Sequence, residues 1–235
     1  GTLLHGERFS DHWYKISLCD GRFGFVSSQE LESIPVVVED DDVEEIRCSV
    51  VSFAREFVKL KSPYLWGGRS PLNSDGHGDV VRTVGTAASV DCSGLVNIIH
   101  RACGLQIPRD AHPQLVAATP VEPSDLESGD LIFIENTNAK GVARVRHVMI
   151  YAGRNDDGID CIIEATGADA VIEKGTRMIT TQALFGLKNL AKVKNGDSLT
   201  RYENGQVIQD VRIFCGTFLD SGHIQGWRNA LLNVG

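Results

Sequence analysis

Asp91-Cys92-Ser93-Gly94-Leu95 runs straight into the apolar stretch Leu95-Val96-Asn97-Ile98-Ile99, which continues to Cys103 and stops at Gly104. An apolar run of this length, ended by glycine, predicts a short buried helix. Cys92 then stands at its N-terminus. Unpaired backbone N–H groups and the positive end of the helix dipole favour a thiolate there. The thiolate is the nucleophilic form of cysteine, so the position suits covalent catalysis. For Cys92 taken alone, the competing reading is a small buried cysteine at the start of a core helix.

A thiolate nucleophile needs a base within hydrogen-bond reach. Of the seven histidines, His5, His12, His77 and His223 lie in polar or glycine-flanked stretches and read as surface residues. His100 falls inside the helix that follows Cys92, and His112 in a proline-containing connection. His147 differs, because it opens Val148-Met149-Ile150-Tyr151-Ala152, an apolar run of strand length closed by Gly153. The next strand candidate is Cys161-Ile162-Ile163-Glu164-Ala165-Thr166, closed by Gly167. If it pairs antiparallel with the His147 strand, Glu164 can orient the imidazole and stabilise the imidazolium as the third member of a triad. A solvent-facing glutamate on an edge strand is the alternative.

The rest of the chain divides by character. Trp13-Tyr14-Lys15-Ile16-Ser17-Leu18 and Phe23-Gly24-Phe25-Val26 read as strands around an Asp20-Gly21 turn. Glu39 to Glu45 is an acidic run without the glycine-bearing pattern of a calcium loop, and reads as a solvated linker leading into a helix. Ile46, Val50, Phe53, Ala54, Phe57 and Leu60 then recur at helical spacing. Gly196 to Phe218 carries one more turn and strand, with Val211-Arg212-Ile213-Phe214 closing the domain. The expected division is a small β module over 1–36, a linker over 37–45, the main domain over 46–220 and a tail over 221–235.

Composition removes several classes. A formal net charge of −8 disfavours nucleic-acid binding. No apolar run reaches the roughly 18 residues needed to span a bilayer. The six cysteines show no Cys-x-x-Cys or zinc-finger spacing, so neither a metal nor another cofactor is expected. Unpatterned cysteines suit a reducing compartment, although a chain that begins at Gly1 is also compatible with a removed leader.

Five segments, in order, are similar to a known family. They are Tyr64-Leu65-Trp66-Gly67-Gly68, Asp91-Cys92-Ser93-Gly94-Leu95, Ile107-Pro108-Arg109-Asp110, the stretch Asp125 to Phe133 containing Gly129-Asp130-Leu131, and His147-Val148-Met149-Ile150-Tyr151. Together they resemble the NlpC/P60 family of papain-like cysteine peptidases, which cleave cell-wall peptides. The Trp-Tyr-Lys, Asp-Gly and Gly-Phe-Val segments of the N-terminal stretch resemble the C-terminal part of a bacterial SH3 domain.

The resemblance implies an α+β papain-like NlpC/P60 fold, helices packed on an antiparallel sheet, beside a small all-β SH3-like module. It implies Cys92 as nucleophile, His147 as base and Glu164 as third residue. It places Tyr64 beside the nucleophile and Asp91, Ser93 and Asp110 around the cleft. In relatives of this layout the small module narrows one end of the cleft and favours a free N-terminal L-alanine; the corresponding residues here would come from the Glu7 and Phe23 region, together with Tyr64. The implied substrate is a peptidoglycan stem peptide or free muropeptide, cut between γ-D-glutamate and a diamino acid such as diaminopimelate. A bacterial source follows, in the cytoplasm for muropeptide recycling or in the periplasm and wall. Three departures stand out. Glu164 replaces the family's usual His, Asn or Gln, the stretch from Arg69 to Val90 is long, and Ala111 stands where relatives that process free muropeptides often carry serine. A wall-binding module that has lost activity, and a papain-like amidase or acyltransferase, are the rival readings.

Overall fold

A computed structural model describes residues 6–17, 23–30, 43–70, 89–137, 141–167, 174–224 and 226. The N-terminal part holds β1 (Gly6–Arg8), β2 (Trp13–Ser17) and β3 (Phe23–Ser27), a three-stranded antiparallel sheet in the order β1-β2-β3. The Asp20-Gly21 turn expected between β2 and β3 lies outside the described residues.

Helix α1 (Val43–Lys59) carries Glu44 and Glu45 in its first turn and Lys59 in its last, which suits the helix dipole at both ends. It begins three residues earlier than the apolar spacing alone predicts, taking up the end of the acidic run. Val50, Val51 and Ala54 form its buried stripe. After it come β4 (Arg69–Ser70) and β5 (Ser89–Val90), which pair antiparallel and bring together the two ends of the long stretch between Tyr64 and Cys92; residues 71–88 within that stretch lie outside the described residues. Helix α2 (Cys92–Ala102) follows at once, then α3 (Ala111–Ala117), so His112 lies in a short helix rather than a connection.

The main sheet contains β6 (Thr119–Pro120), β7 (Leu131–Thr137), β8 (Ala143–Arg154), β9 (Asp160–Thr166), β10 (Gly175–Thr180), β11 (Ser198–Glu203) and β12 (Gln206–Thr217), with the short helix α4 (Thr181–Phe185) between β10 and β11. The strand order is β10-β9-β8-β7-β12-β11, with β6 beside β12, and every pairing is antiparallel. Both faces of its middle are dry. Along β7, Leu131 and Phe133 join the core beneath α1, α2 and α3, while Ile132 and Ile134 join a second core with Leu184 and Phe185 of α4. That alternation is the two-residue period of a strand buried on both faces. The result is the α+β arrangement of helices on an antiparallel sheet.

Two features depart from the sequence reading. The strand that carries His147 begins four residues before it, at Ala143. The C-terminal segment is a hairpin rather than a single strand: β11 and β12 are joined at Asn204-Gly205, both with positive φ (51° and 76°), as a two-residue type I′ turn requires. The hairpin also brings the ends of the strand order together. Helix α4 packs on both β10 and β11, and Arg177 of β10 is ion-paired with Glu203 of β11. Among the described residues no helix is long and apolar enough to cross a membrane.

Candidate active site

The start of α2 is built by Asp91. Its backbone is extended (φ −94°, ψ 179°) and its Oδ1 accepts the Gly94 N–H at 2.6 Å, which makes it the N-cap. Its Oδ2 accepts the Gly67 N–H at 2.9 Å and an Arg109 N–H at 2.7 Å. One carboxylate therefore fastens the Tyr64–Gly68 loop, the start of α2 and the segment after it. Ser93 Oγ accepts a second Arg109 N–H at 2.9 Å and donates to Asp91 at 3.3 Å. Asp91 and Ser93 are both buried. Their side chains are committed to internal partners, so they shape the cleft from behind rather than offering groups to a ligand. Asp110 is exposed, makes no side-chain cap bond to α3, and lies 3.8 Å from Arg109.

Cys92 is the first residue of α2, buried and hydrogen-bonded to His147. Burial pushes its thiol up, but the adjacent His147, its hydrogen bond and the Val148 backbone outweigh this and hold it below the ordinary range. His147 responds in the opposite sense. Burial lowers it, while Cys92 and then Glu164 lift it to about 9. The two shifts are coupled, each residue favouring the charged form of the other. Burial pushes the thiols of Cys103, Cys161 and Cys215 up instead: Cys103 reaches about 12.

Glu164 lies on β9, fully buried, and its Oε2 accepts the His147 Nε2–H at 2.5 Å. It is therefore not a solvent-facing residue of an edge strand. That bond fixes the ring so that Nδ1 is left for the thiol. Burial alone would raise the carboxyl, but His147, Arg201 and Arg177 bring it down to about 2. Tyr64 approaches from the other side. It forms a parallel bridge with Val90, and its ring packs so tightly on Gly167 that a Cβ there would lie 2.2 Å from it. Burial, with the charges of Cys92 and Asp91, pushes its phenol up to about 12, so the hydroxyl keeps its proton at neutral pH. Glu7 lies on β1 opposite Lys15; its side chain and that of Phe23 lie outside the described residues.

Four residues near the site were not singled out in the sequence for the parts they play. Arg109 sits within a quoted motif, but its clamp on Asp91 and Ser93 is visible only in three dimensions. Arg177 comes from β10, a strand that the pattern reading omits. Arg201 and Glu203 alternate on β11, immediately before Asn204-Gly205. The Asn-Gly pair, a strong hairpin signal, was the available pointer to them. His100 is buried and donates Nδ1–H to the Val96 carbonyl at 2.9 Å, with its ring pushed down to about 4 by burial. It is neutral and structural.

The model of the NlpC/P60 family matches residues 61–187, more than half of the chain. The chain belongs to the NlpC/P60 family. The matched span contains Tyr64, Cys92, His147, Glu164 and Arg177, and stops before Arg201 and Glu203. Among curated NlpC/P60 relatives, the chain is 32% identical over 141 residues to a gamma-D-glutamyl-L-lysine dipeptidyl-peptidase of Bacillus subtilis, covering 60% of this chain and 38% of that protein. It is 36% identical over 120 residues to a protein of the same name from Bacillus cereus, covering 51% and 28%. A murein DD-endopeptidase of Escherichia coli is 34% identical over 110 residues, covering 46% and 34%. The chain thus spans between 28% and 38% of the length of these relatives. An NlpC/P60 protein from Bacillus cereus of known structure aligns over 76% of this chain and 48% of its own, at 24% identity and a TM-score of 0.49.

Proposed function

We propose that this chain is a cysteine peptidase acting on peptidoglycan stem peptides, and that it cuts the bond between γ-D-glutamate and a diamino acid. The observation that carries the reading is geometric: Cys92 begins α2 beside His147, and the buried Glu164 accepts from the far nitrogen of that ring, an arrangement that favours the charged forms of both. The Cys92 thiolate attacks the scissile carbonyl and forms a C–S bond. The Cys92 N–H, at the start of α2, has no intrahelical acceptor and is the donor for the developing oxyanion, with the Tyr64 hydroxyl as a second donor. His147 gives its Nδ1 proton to the leaving amine as the C–N bond breaks. A water then loses a proton to His147 and attacks the thioester, and the C–S bond breaks to release the acid and restore the Cys92 thiolate beside a protonated His147. Glu164 holds the Nε2–H throughout.

The relatives' names support the substrate class, and the intact pair of Cys92 and His147 argues against a wall-binding module without activity. We read the three-stranded N-terminal sheet as part of an SH3-like module that meets the free amine of the peptide, with the peptidase domain running from α1 onward. The test is mass spectrometry of digests of L-Ala-γ-D-Glu-diaminopimelate, its lysine counterpart, the same peptides with the amine acylated, and intact sacculi. The expected products are L-Ala-γ-D-Glu and the freed diamino acid, from peptides with a free amine. No cleavage of any of these, by a protein whose Cys92 is rapidly alkylated, overturns the substrate assignment. Equal rates on free and acylated peptides make the module a tether.

A further inference from the structure

Glu164 is a departure for a third residue, because a buried carboxylate carries a charge that a neutral His, Asn or Gln does not. Its surroundings answer that charge from three strands. From β8, His147 Nε2 donates to Oε2. From β10, Arg177 donates to Oε1 through Nε at 2.9 Å and Nη2 at 2.6 Å. From β11, Arg201 lies 3.7 Å from Oε2. The same Arg177 guanidinium reaches Glu203 of β11 through Nη1 at 2.5 Å and Nη2 at 2.8 Å. With Cys92 on α2, the described charged groups balance. The thiolate, Glu164 and Glu203 are negative; the imidazolium, Arg177 and Arg201 are positive.

Building on the reading above, we infer that Arg177 is a positioning residue for the reaction, which acts by holding Glu164 ionised and turned so that its Oε2 meets His147. The chemistry requires it. A buried carboxyl without a cationic partner takes up a proton. Protonated Glu164 would offer His147 Nε2 an O–H donor instead of an acceptor. The ring could then no longer carry both of its protons, and the thiolate would lose its counter-ion. Arg177 suits the task because its planar fork serves two carboxylates at once, and Glu203 locks the fork in place. Its contribution is legible only in the fold, since Arg177 and Glu203 lie on the two strands that end the sheet order.

The test reads the thiolate directly, without a substrate. The rate of Cys92 alkylation by iodoacetamide is followed from pH 4 to 10 in the full chain, with circular dichroism to check folding. In Arg177→Gln the acid limb should move up by about one pH unit or more. Arg177→Lys keeps the charge but not the fork, and should move it by less. In a Glu164→Gln background, where no charge needs an answer, Arg177→Gln should add no further shift. An unchanged limb in folded Arg177→Gln overturns the inference, as does an equal shift in the Glu164→Gln background. If Arg177→Gln does not fold, Arg177→Lys decides: an unchanged limb there overturns it. Because alkylation needs no peptide, failure here is distinct from failure to cut any stem peptide.

Discussion

The carbonyl oxygen of Gly68 occupies the space beside Gly94 in which a side chain would begin: a Cβ on Gly94 would lie 2.1 Å from it. Gly68 itself donates its N–H to the Leu65 carbonyl, and its carbonyl accepts the Asp91 N–H at 3.1 Å. The loop that carries Tyr64 is therefore pressed backbone to backbone against the first turn of α2.

Gly94→Ala should break this contact, because the nearest atom is backbone and the next, Asp91 Oδ1 at 2.9 Å, is held as the helix cap. The Tyr64–Gly68 loop must lift from α2. The expected cost is about 3 kcal/mol of stability, read from urea denaturation. Peptidase activity should fall further than stability does, because Tyr64 moves with the loop. An alanine variant of ordinary stability and activity would contradict the packing described here.

Cys92→Ala and Cys92→Ser should each lose at least about a thousandfold in kcat/KM while remaining folded. Single serine variants of Cys48, Cys103, Cys161 and Cys215 should keep turnover, because His147 faces Cys92 alone among the described cysteines. The measurement is hydrolysis of a stem tripeptide beside a thermal melt for each variant.

Glu164→Gln should cost less activity than Glu164→Ala, and both less than Cys92→Ala. The glutamine still offers a carbonyl oxygen to His147 Nε2–H. Alanine leaves that donor unpaired, removes the carboxylate that faces Arg201 and leaves Arg177 with Glu203 alone, so it should also destabilise by about 3–5 kcal/mol. Steady-state kinetics and chemical denaturation of the two variants separate these effects.

Activity should follow a bell in pH. The thiolate–imidazolium pair is lost on the alkaline side as His147 deprotonates near 9, and on the acid side below the ordinary thiol range as Cys92 takes its proton. Stability should follow from the same groups. Glu164 is depressed from 4.5 to about 2, so its contribution is complete above 4.5 and fades as pH falls toward 2. His147 is raised from 6.5 to about 9, so its contribution is complete below 6.5 and is lost as pH rises through 9. Melting temperatures across pH should therefore be highest between about 4.5 and 6.5 as far as this pair decides them.

The pieces of the site that were legible in the sequence are those in which one residue announces its own chemistry. Cys92 before an apolar run, His147 at the head of a strand-length run and Glu164 on the next strand all carry signals within a few neighbours. The family resemblance places Asp91 and Ser93 at the cleft. Their inward commitment to Arg109 and Gly67 depends on where a loop 24 residues away returns. Arg177 was invisible for a similar reason. Gly175 to Thr180 lacks a clean two-residue alternation, since Met178 is half exposed while Thr176 is buried, so neither the strand nor its guanidinium stood out. Only half of the C-terminal hairpin is legible, because Val211 to Phe214 is apolar apart from Arg212 whereas Ser198 to Glu203 is mostly polar along an edge.

The joining of β10 to β11 through Arg177 and Glu203 bears on where the chain can be shortened. The family match ends at Leu187, and that point looks like a natural boundary. A chain cut there would keep cysteine, histidine and glutamate but lose β12, whose pairing with β7 covers the strand next to that of His147. It would also leave Glu164 short of one cation and Arg177 without its second carboxylate. A working unit should therefore extend past the recognisable motifs to the end of β12, and β11, through Arg201 and Glu203, completes a charge balance begun more than a hundred residues earlier at Cys92.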